Sequence, residues 1–549
     1  MLKGEIRHID WQNWMSMEGV GEVAGVAERC TIDFLQPVLS QLGAFEVMSA
    51  RINRDGEYQP PFYWTAPINN LTLPKPPPYK ELPDFCEVQV RYETPGGHEA
   101  HIYVWAPLVW NGRYLGTAGG SSQTVYWREP PWPGRNPRLS HAIRNGFASA
   151  TTDGGNRDAR FFDWAIVPGE DSLNEDLILS WAYRATHEMT KVAKAVIEAL
   201  YGEPPAYSYL AGCSGGGRMT LSQAQHHPDD YDGFWAADPA VHWGRTIASG
   251  IWPALVMKER GVALADAKLD AFRDGAAASC PDRSLADGIA GPFDRCTFDP
   301  RSIVGNETEA GTITEADAAV MQEIWDGPRR PDGTPLWFGL RPGVQSWGMD
   351  GLCRTETRDG KLVPVPFELA FAQLRWSAHD EALDWDSLTF ERYAELFESG
   401  LAEVAPAAGN DPDLSGLAAS GAKLLLTQGA DDDILPSQGC ISYYESVLAK
   451  MGGHAATVPF ARFFLTEGDG HAFCINRGPG LTNASAMIAL MEWVEQDKAP
   501  AMIVAERFDR DSFERIATRP AYLYPCMPVY RGEGDPNEAE SFTSSCAVS

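Results

Sequence analysis

Residues Tyr209 to Thr220 read YLAGCSGGGRMT, a G-x-S-x-G pattern with a cysteine directly before its serine. The five-residue pattern is weak alone, and its context decides the fold. A strand is predicted from Tyr207 to Leu210, running straight into the glycines, and Met219 to His226 reads as a helix beyond them. Strand, glycine-rich turn and helix in this order describe a nucleophile elbow, whose small residues permit a strained turn that lifts Ser214 above the sheet edge. Oxyanion charge formed by attack of Ser214 then falls near the N–H of Gly215 and the positive end of a helix dipole. The competing reading is a glycine-rich turn without chemistry.

Working outward, Ala182, Ala185, Met189, Val192, Ala193, Val196 and Leu200 recur at helical spacing, so a helix is predicted from Leu177 to Gly202, stopped by that glycine and by Pro204 and Pro205. Gly233 to Ala236 reads as the strand after the elbow helix. Lys423 to Thr427 and Ala461 to Leu465 are short, mostly apolar runs of the kind buried on both faces of a parallel sheet. Glu87 to Tyr92 and His101 to Trp105 read as earlier strands. Between the strands at Gly233 to Ala236 and Lys423 to Thr427, residues 241–415 are rich in Gly, Pro, Asp and scattered aromatics and carry few strand signals, which predicts an inserted lid. The expected fold is therefore α/β, a largely parallel, doubly wound sheet with core residues 1–240 and 416–549 around a lid at 241–415. No internal repeat or low-complexity tail is present.

A serine of ordinary pKa is a poor nucleophile and needs a base oriented by a carboxylate, in the chain order Ser, Asp, His for this type of elbow. After the strand ending at Thr427 the loop Gln428 to Pro436 offers Asp431, Asp432 and Asp433. After the strand ending at Leu465 comes TEGDGHAFC, Thr466 to Cys474, and of the eleven histidines only His471 sits in a glycine-rich loop after a late strand. The adjacent His226 and His227 read as a helix end rather than a metal site, because neighbouring helical residues diverge and no third ligand is spaced to join them.

The 75 acidic against 45 basic residues, a formal charge of −30, repel phosphate backbones and anionic lipid, which argues against nucleic-acid and membrane-surface partners. No apolar run reaches the length of a membrane span. The first thirty residues lack the charged start and continuous apolar segment of a secretory signal, while ten cysteines permit disulfides.

From Ala182 to Ala240, through AYRATHEMTKVAKAVIEALYG, GCSGGGR and HHPDDYDGFWAADPA, and more loosely from Cys30 to RPAYLYP and YRGEGDPNEAESF near the C-terminus, the sequence resembles the tannase and feruloyl esterase family of α/β-hydrolases. That family also includes the esterase acting on the terephthalate mono-ester released from PET. The resemblance implies Ser214 as nucleophile, His471 as base and Asp432 as the orienting acid, with Asp433 in reserve. It implies a second oxyanion donor from Leu115 to Gly120, at Gly119 or Gly120. It also implies a bridge from Cys213 to Cys474 that fixes His471 over Ser214, although Ala472 and Phe473 here separate a histidine and a cysteine that are usually adjacent in the family. Further implied pairs are Cys280 with Cys296, Cys30 with Cys86 and Cys526 with Cys546, leaving Cys353 and Cys440 unassigned. The Cys280 to Cys296 segment resembles a lid calcium loop with ligands from Asp282 and Asp287 and the carbonyls of Leu285 and Ile289, one residue shorter than the family's and lacking an aspartate. The paired cysteines point to a secreted or periplasmic protein, the missing signal to a cytoplasmic one; sequons at Asn70, Asn306 and Asn483 decide nothing.

The expected function is a serine esterase acting on phenolic or benzoic acid esters, such as feruloyl, galloyl or terephthalate mono-esters, needing no catalytic cofactor. Trp337, Phe338, Trp347, Phe371 and Trp376 of the lid fit an aromatic acyl group, and Arg375 either meets a substrate carboxylate or, the preferred reading, forms an ion pair. The alternatives are a hydrolase of the same fold acting on other esters or amides, and a binding protein that has lost turnover. The sequence leaves the oligomeric state open.

Overall fold

The computed structural model describes residues 2–63, 75–129, 131–157, 160, 162–279, 289, 298–345 and 351–547, and places the strand leading into the elbow near the middle of a nine-stranded sheet. In chain order its strands are β1 (Glu46–Asn53), β2 (Phe85–Glu93), β3 (Glu99–Pro107), β4 (Arg113–Thr117), β5 (Ala148–Thr152), β6 (Tyr207–Cys213), β7 (Gly233–Ala237), β8 (Lys423–Gly429) and β9 (Ala461–Thr466). Across the sheet the order is β9, β8, β7, β6, β4, β5, β3, β2, β1. The strands from β9 to β5 are parallel, whereas β3, β2 and β1 add antiparallel pairings at one edge. The sheet is thus mixed, and its parallel block is the part that carries the elbow. The turn TPGGH, Thr94 to His98, is one cause: so short a connection joins antiparallel neighbours, since a parallel pair needs a crossover.

The principal helices of the core are α1 (Ile32–Leu39), α2 (Leu139–Arg144), α3 (Ala185–Tyr201), α4 (Gly215–His226), α5 (Ser437–Lys450) and α6 (Asn483–Gln496). Because strand side chains alternate, the central strands feed two cores. Leu210, Phe234, Ala236, Leu424 and Leu426 join α1, α3 and α4 in one; Tyr209, Ala211, Trp235 and Leu425 join Ala142 of α2 and Met487 and Leu490 of α6 in the other.

The helix expected from Leu177 to Gly202 starts at Glu175 and passes through a π turn, Ser180–Arg184, before α3. A buried side chain accompanies the irregularity. Arg218 of α4, fully buried, donates from Nη1 to Ala182 O at 2.7 Å and from Nη2 to Trp181 O at 3.2 Å, supplying the widened turn with donors. Gly202 closes α3 with φ 79°, the left-handed conformation that glycine adopts without strain.

Between Ala237 and Lys423 the chain leaves the sheet. Among its described residues this insertion is largely helical, with Trp243–Ser249, Trp252–Arg260, Asp266–Ser279, Glu315–Asp326, Glu368–Ala378 and Phe390–Glu403, and the hairpins Glu307–Thr308 with Gly311–Thr312 and Thr355–Arg358 with Lys361–Pro364 stay outside the nine-stranded sheet. Four tryptophans fasten it. Trp376 meets Trp164 edge-on at 5.1 Å and Trp181 at 6.0 Å, Trp243 meets Trp181 at 4.7 Å, and the Trp376 indole N–H donates to Phe162 O at 3.0 Å. Beyond α6 a hairpin of Met502–Phe508 and Arg515–Tyr522 follows. Disulfides join Cys30 to Cys86 and Cys526 to Cys546, with Cα separations of 5.9 and 5.4 Å. Among the described residues no helix is long and apolar enough to cross a membrane.

Trp376 is 1% exposed, so Trp376→Ala is expected to lower unfolding stability by about 3–5 kcal/mol. Equilibrium denaturation measures this; a midpoint equal to wild type would show that the tryptophan cluster does not hold the insertion.

Candidate active site

The elbow forms where β6 ends at Cys213 and α4 begins at Gly215. Ser214 between them has φ 61° and ψ −124°, a region that only glycine enters without strain. Its backbone is bonded on both sides to the end of β7 and the residues that follow it: Ser214 N–H donates to Ala237 O at 3.0 Å and Ala240 N–H donates to Ser214 O at 3.1 Å. Glycines follow because there is no room for more. A Cβ on Gly215 would lie 1.9 Å from Ser121 O, and one on Gly216 2.4 Å from Gly119 O. The elbow is thereby pressed onto the loop after β4, and the Ser214 side chain makes no capping bond to its own helix. Within that loop Gly120 N–H donates to Gln123 O at 3.2 Å. Gly120 is therefore withdrawn as an oxyanion donor, while Gly119 and Gly215 donate to no acceptor among the described residues.

Asp432 and His471 come together from the loops after β8 and β9. His471 Nδ1 lies 2.8 Å from Asp432 Oδ2. Ile434 and Leu435 N–H donate to Asp432 Oδ1 at 3.0 and 2.8 Å, and Gln428 Nε2 donates to Oδ2 at 2.9 Å, so the carboxylate cannot rotate away. The neighbouring acids are engaged differently. Asp431 pairs with Arg341 of the insertion at 2.5 Å, and Asp433 Oδ1 accepts the backbone N–H of His471 at 3.0 Å. Burial and the adjacent Asp432 charge push the Asp433 carboxyl up to about 6. Burial lowers the His471 pKa, but Asp432, with help from Asp238 and Asp433, outweighs it and pushes the imidazole up to about 9.

The bridge expected between Cys213 and Cys474 is not formed: both are buried thiols. Cys213 Sγ points to Asp238 Oδ2 at 3.7 Å, and Cys474 Sγ to Leu481 O at 3.5 Å. The two inserted residues account for the divergence. Ala472 takes φ 65°, Phe473 pairs with Gly134, and Cys474 N–H is carried onto Pro133 O at 2.9 Å. Burial pushes both thiols well above their usual range and keeps them protonated. Cys440 is likewise a buried thiol, and Cys353 is buried.

Other expectations change place. Arg375 donates to Asp163 at 2.8 Å and Glu368 at 2.6 Å and is 7% exposed, so it is a buried ion-pair partner and does not face a substrate carboxylate. Phe371 and Trp376 are buried in the packing of the insertion, whereas Trp337 and Phe338 are half-buried. Trp347, Cys280, Cys296, Asp282, Leu285 and Asp287 lie outside the described residues; Ile289 is described and packs its side chain against Gly468. His227 does gain neighbours that chain spacing cannot show. His187 of α3 bonds Asp230 at 2.7 Å, and the His187 and His227 rings stack at 3.9 Å. His187, His227 and Asp230 each bring one candidate ligand atom to within 4.8 Å of the others, so the fold supplies His227 with the further ligands that chain spacing does not show.

The sequence reading assigned no role to Arg135, Asp238 or Asp469, which form a buried cluster beside His471. Arg135 sits in the irregular stretch WREPPWPGRNPR, which offers no periodicity, and Asp238 in AADPA at the end of β7.

Comparison with known proteins places the chain in a family. The family described as Tannase and feruloyl esterase matches residues 86–545. A probable feruloyl esterase of Arthroderma benhamiae is 33% identical over 474 residues, covering 84% of this chain and 85% of the relative. The mono(2-hydroxyethyl) terephthalate hydrolase of Piscinibacter sakaiensis is 27% identical, with 85% of each chain covered. The solved structure of a tannin acyl hydrolase from Aspergillus niger superposes with a TM-score of 0.78 at 20% identity, over 95% of this chain and 96% of that one, and shares the fold. The chain belongs to the tannase and feruloyl esterase family.

Proposed function

We propose that the protein is a serine carboxylic-ester hydrolase acting on aromatic acid esters. The observation that carries the reading is the 2.8 Å contact of His471 Nδ1 with a fully pinned Asp432, in a chain whose strained elbow presents Ser214. With Nδ1 committed to Asp432, the other ring nitrogen is the one left to take a proton. Ser214 Oγ attacks the ester carbonyl carbon while its proton passes to His471 Nε2, and the oxyanion is met by the N–H groups of Gly215 and Gly119. Collapse expels the alcohol, which leaves with the His471 proton, and forms the Ser214 acyl ester. Water then attacks that ester with His471 as base, releasing the acid and restoring the serine. Asp432 keeps the imidazole oriented and stabilises its charged form throughout.

The aromatic acyl specificity rests on the family, on relatives named for feruloyl and terephthalate esters, and on half-buried Trp337 and Phe338 in an insertion read as a lid. The two disulfides support an oxidising compartment. A structural calcium ion on Asp282, Asp287 and the carbonyls of Leu285 and Ile289 belongs to the proposal and takes no part in these steps.

A panel of gallate, ferulate, chlorogenate and terephthalate mono-esters beside 4-nitrophenyl acetate tests the function. Turnover of the aliphatic ester alone would overturn the aromatic assignment; binding without turnover of any would leave a binding protein. Ser214→Ala and His471→Ala are each expected to lower kcat by roughly four to six orders of magnitude. Asp432→Asn should cost far more than Asp433→Asn, and the reverse ranking moves the acid by one residue.

His471 must be neutral to accept the serine proton, and its conjugate acid is favoured up to about 9. Hence kcat/KM should rise with pH and level off only above that value. An acid limb near the ordinary histidine value of about 6.5 would show that the carboxylates do not act on the ring. For calcium, chelation should lower the thermal midpoint; an unchanged midpoint with no metal by elemental analysis removes the ion.

A further inference from the structure

We propose that Arg135, Asp238 and Asp469 form a buried ionic clamp that positions His471 and balances the charge around it. The clamp rests on the assignment of Ser214 and His471 given above. Its members are positioning residues, not catalytic ones, since each acts through the loop that carries the histidine.

Arg135 is 1% exposed and Asp238 and Asp469 are 0%. The guanidinium donates from Nε to Asp238 Oδ2 at 2.5 Å and from Nη2 to Gly470 O at 2.6 Å, and its Nη1 lies 2.5 Å from Asp469 Oδ2. Its backbone N–H donates to Ala472 O at 3.0 Å. One side chain and its own amide thus hold residues 469, 470 and 472, on both sides of His471. Asp238 holds the opposite end: its Oδ2 accepts Ala472 N–H and its Oδ1 accepts Gly429 N–H, each at 2.9 Å. Asp238 belongs to the same short segment, 237–240, that is bonded on both sides to the Ser214 backbone. The path from nucleophile to base therefore runs through Asp238 and Arg135.

The surroundings make room for these charges. A Cβ at Gly480 would lie 2.4 Å from Asp469 Oδ1 and 2.6 Å from Arg135 Nη1, and one at Gly134 would lie 2.5 Å from Ala472 O. Burying three charges is costly, so a purely structural tie here would be served as well by apolar packing. What apolar packing cannot supply is a positive charge among carboxylates. The charged groups acting on His471 are Asp432 and Asp433 from the loop after β8 and Asp238 after β7; behind Asp238 stands Arg135, which faces Asp469 and the thiol Cys474, while the thiol Cys213 faces Asp238, Arg135, Asp432 and Arg138. A carboxylate oxygen of Asp238 lies within 4.8 Å of a His471 ring nitrogen. Arg135 engages that carboxylate and leaves Asp432 as the partner that orients the ring. Although burial lowers the Arg135 pKa, Asp238 and Asp469 hold it well above its usual value, so it stays charged.

The test is the pH dependence of kcat and KM for 4-nitrophenyl acetate in Asp238→Asn, Arg135→Lys and Arg135→Met, with Ser214→Ala as control. Asp238→Asn removes a negative charge facing the imidazole, so the acid limb of kcat/KM should move down by about one pH unit. Arg135→Met leaves Asp238 unopposed; the limb should move up, and kcat should fall by about a hundredfold with KM within about threefold, because misplacing the base affects the chemical step. Arg135→Lys keeps the charge and loses the fork, so it should restore the limb and recover part of kcat. If Arg135→Met does not fold, Asp238→Asn decides. Folded variants with the wild-type limb and kcat overturn the clamp, as does a non-reducing peptide map joining GCSGGGR to HAFCINR in active protein. Full activity in Ser214→Ala overturns the serine reading and the clamp with it; loss in Ser214→Ala beside wild-type behaviour of the clamp variants overturns the clamp alone.

Discussion

The strained backbone at Ser214 is the constraint on which the rest of the site depends. A non-glycine residue at φ 61° persists only where its neighbours leave no alternative. Here they are the end of β7, bonded to Ser214 on both sides, and the loop after β4, which lies so close that Gly215 and Gly216 admit no side chain. Those bonds require β6 to stand between β4 and β7 in parallel register, as it does with Tyr209 opposite Leu115 and Gly233. The sheet order is therefore a condition of the elbow and not merely its support. A sheet with β6 at an edge would give the serine no second wall.

The core was legible in the sequence because its signals are local. Short, largely apolar runs at Lys423 to Thr427 and Ala461 to Leu465 are what strands buried on both faces require, and they form β8 and β9 with one or two residues added at the end. The loops that follow those strands were found for the same reason, and with them His471 and the three acids Asp431 to Asp433, among which the family resemblance singled out Asp432. What was not legible depends on residues far apart in the chain. The π turn at Ser180–Arg184 lies against Arg218, whose side chain reaches its carbonyls from the next helix. The hairpin after α6 carries no signal beyond ordinary strand composition, and of the antiparallel edge only the short turn Thr94 to His98 is written locally. The cysteines show the limit of a pattern taken from relatives: Cys30 and Cys86 pair as expected, but two extra residues after His471 turn Cys474 away from Cys213.

Arg135, Asp238 and Asp469 belong to the same class of feature. Each is separated from the others by more than a hundred residues, and none has a composition or spacing that marks it. They became visible only when three loops converged on one fully buried guanidinium. A chain of formal charge −30 carries an excess of carboxylates, and four of them stand near His471. They divide by environment. Asp432 has its oxygens filled by backbone and amide donors and by the imidazole, Asp238 is held below the usual carboxylate range because Arg135 and His471 outweigh its burial, and burial pushes Asp469 up to about 7.

That division explains how one imidazole can have a defined partner in so acidic a setting. Two ionised carboxylates competing for His471 would leave its ring orientation undetermined and would favour the protonated form further. Asp238 is engaged instead by Arg135 and the backbone N–H groups of Gly429 and Ala472. Asp469 shares the same guanidinium and so does not add an unopposed charge. The remaining approach to the ring is the one Asp432 makes at Nδ1, which leaves Nε2 uncommitted to that carboxylate. The orientation of the imidazole is in this way a result of where the neighbouring negative charges are neutralised, as much as of the single contact that holds it.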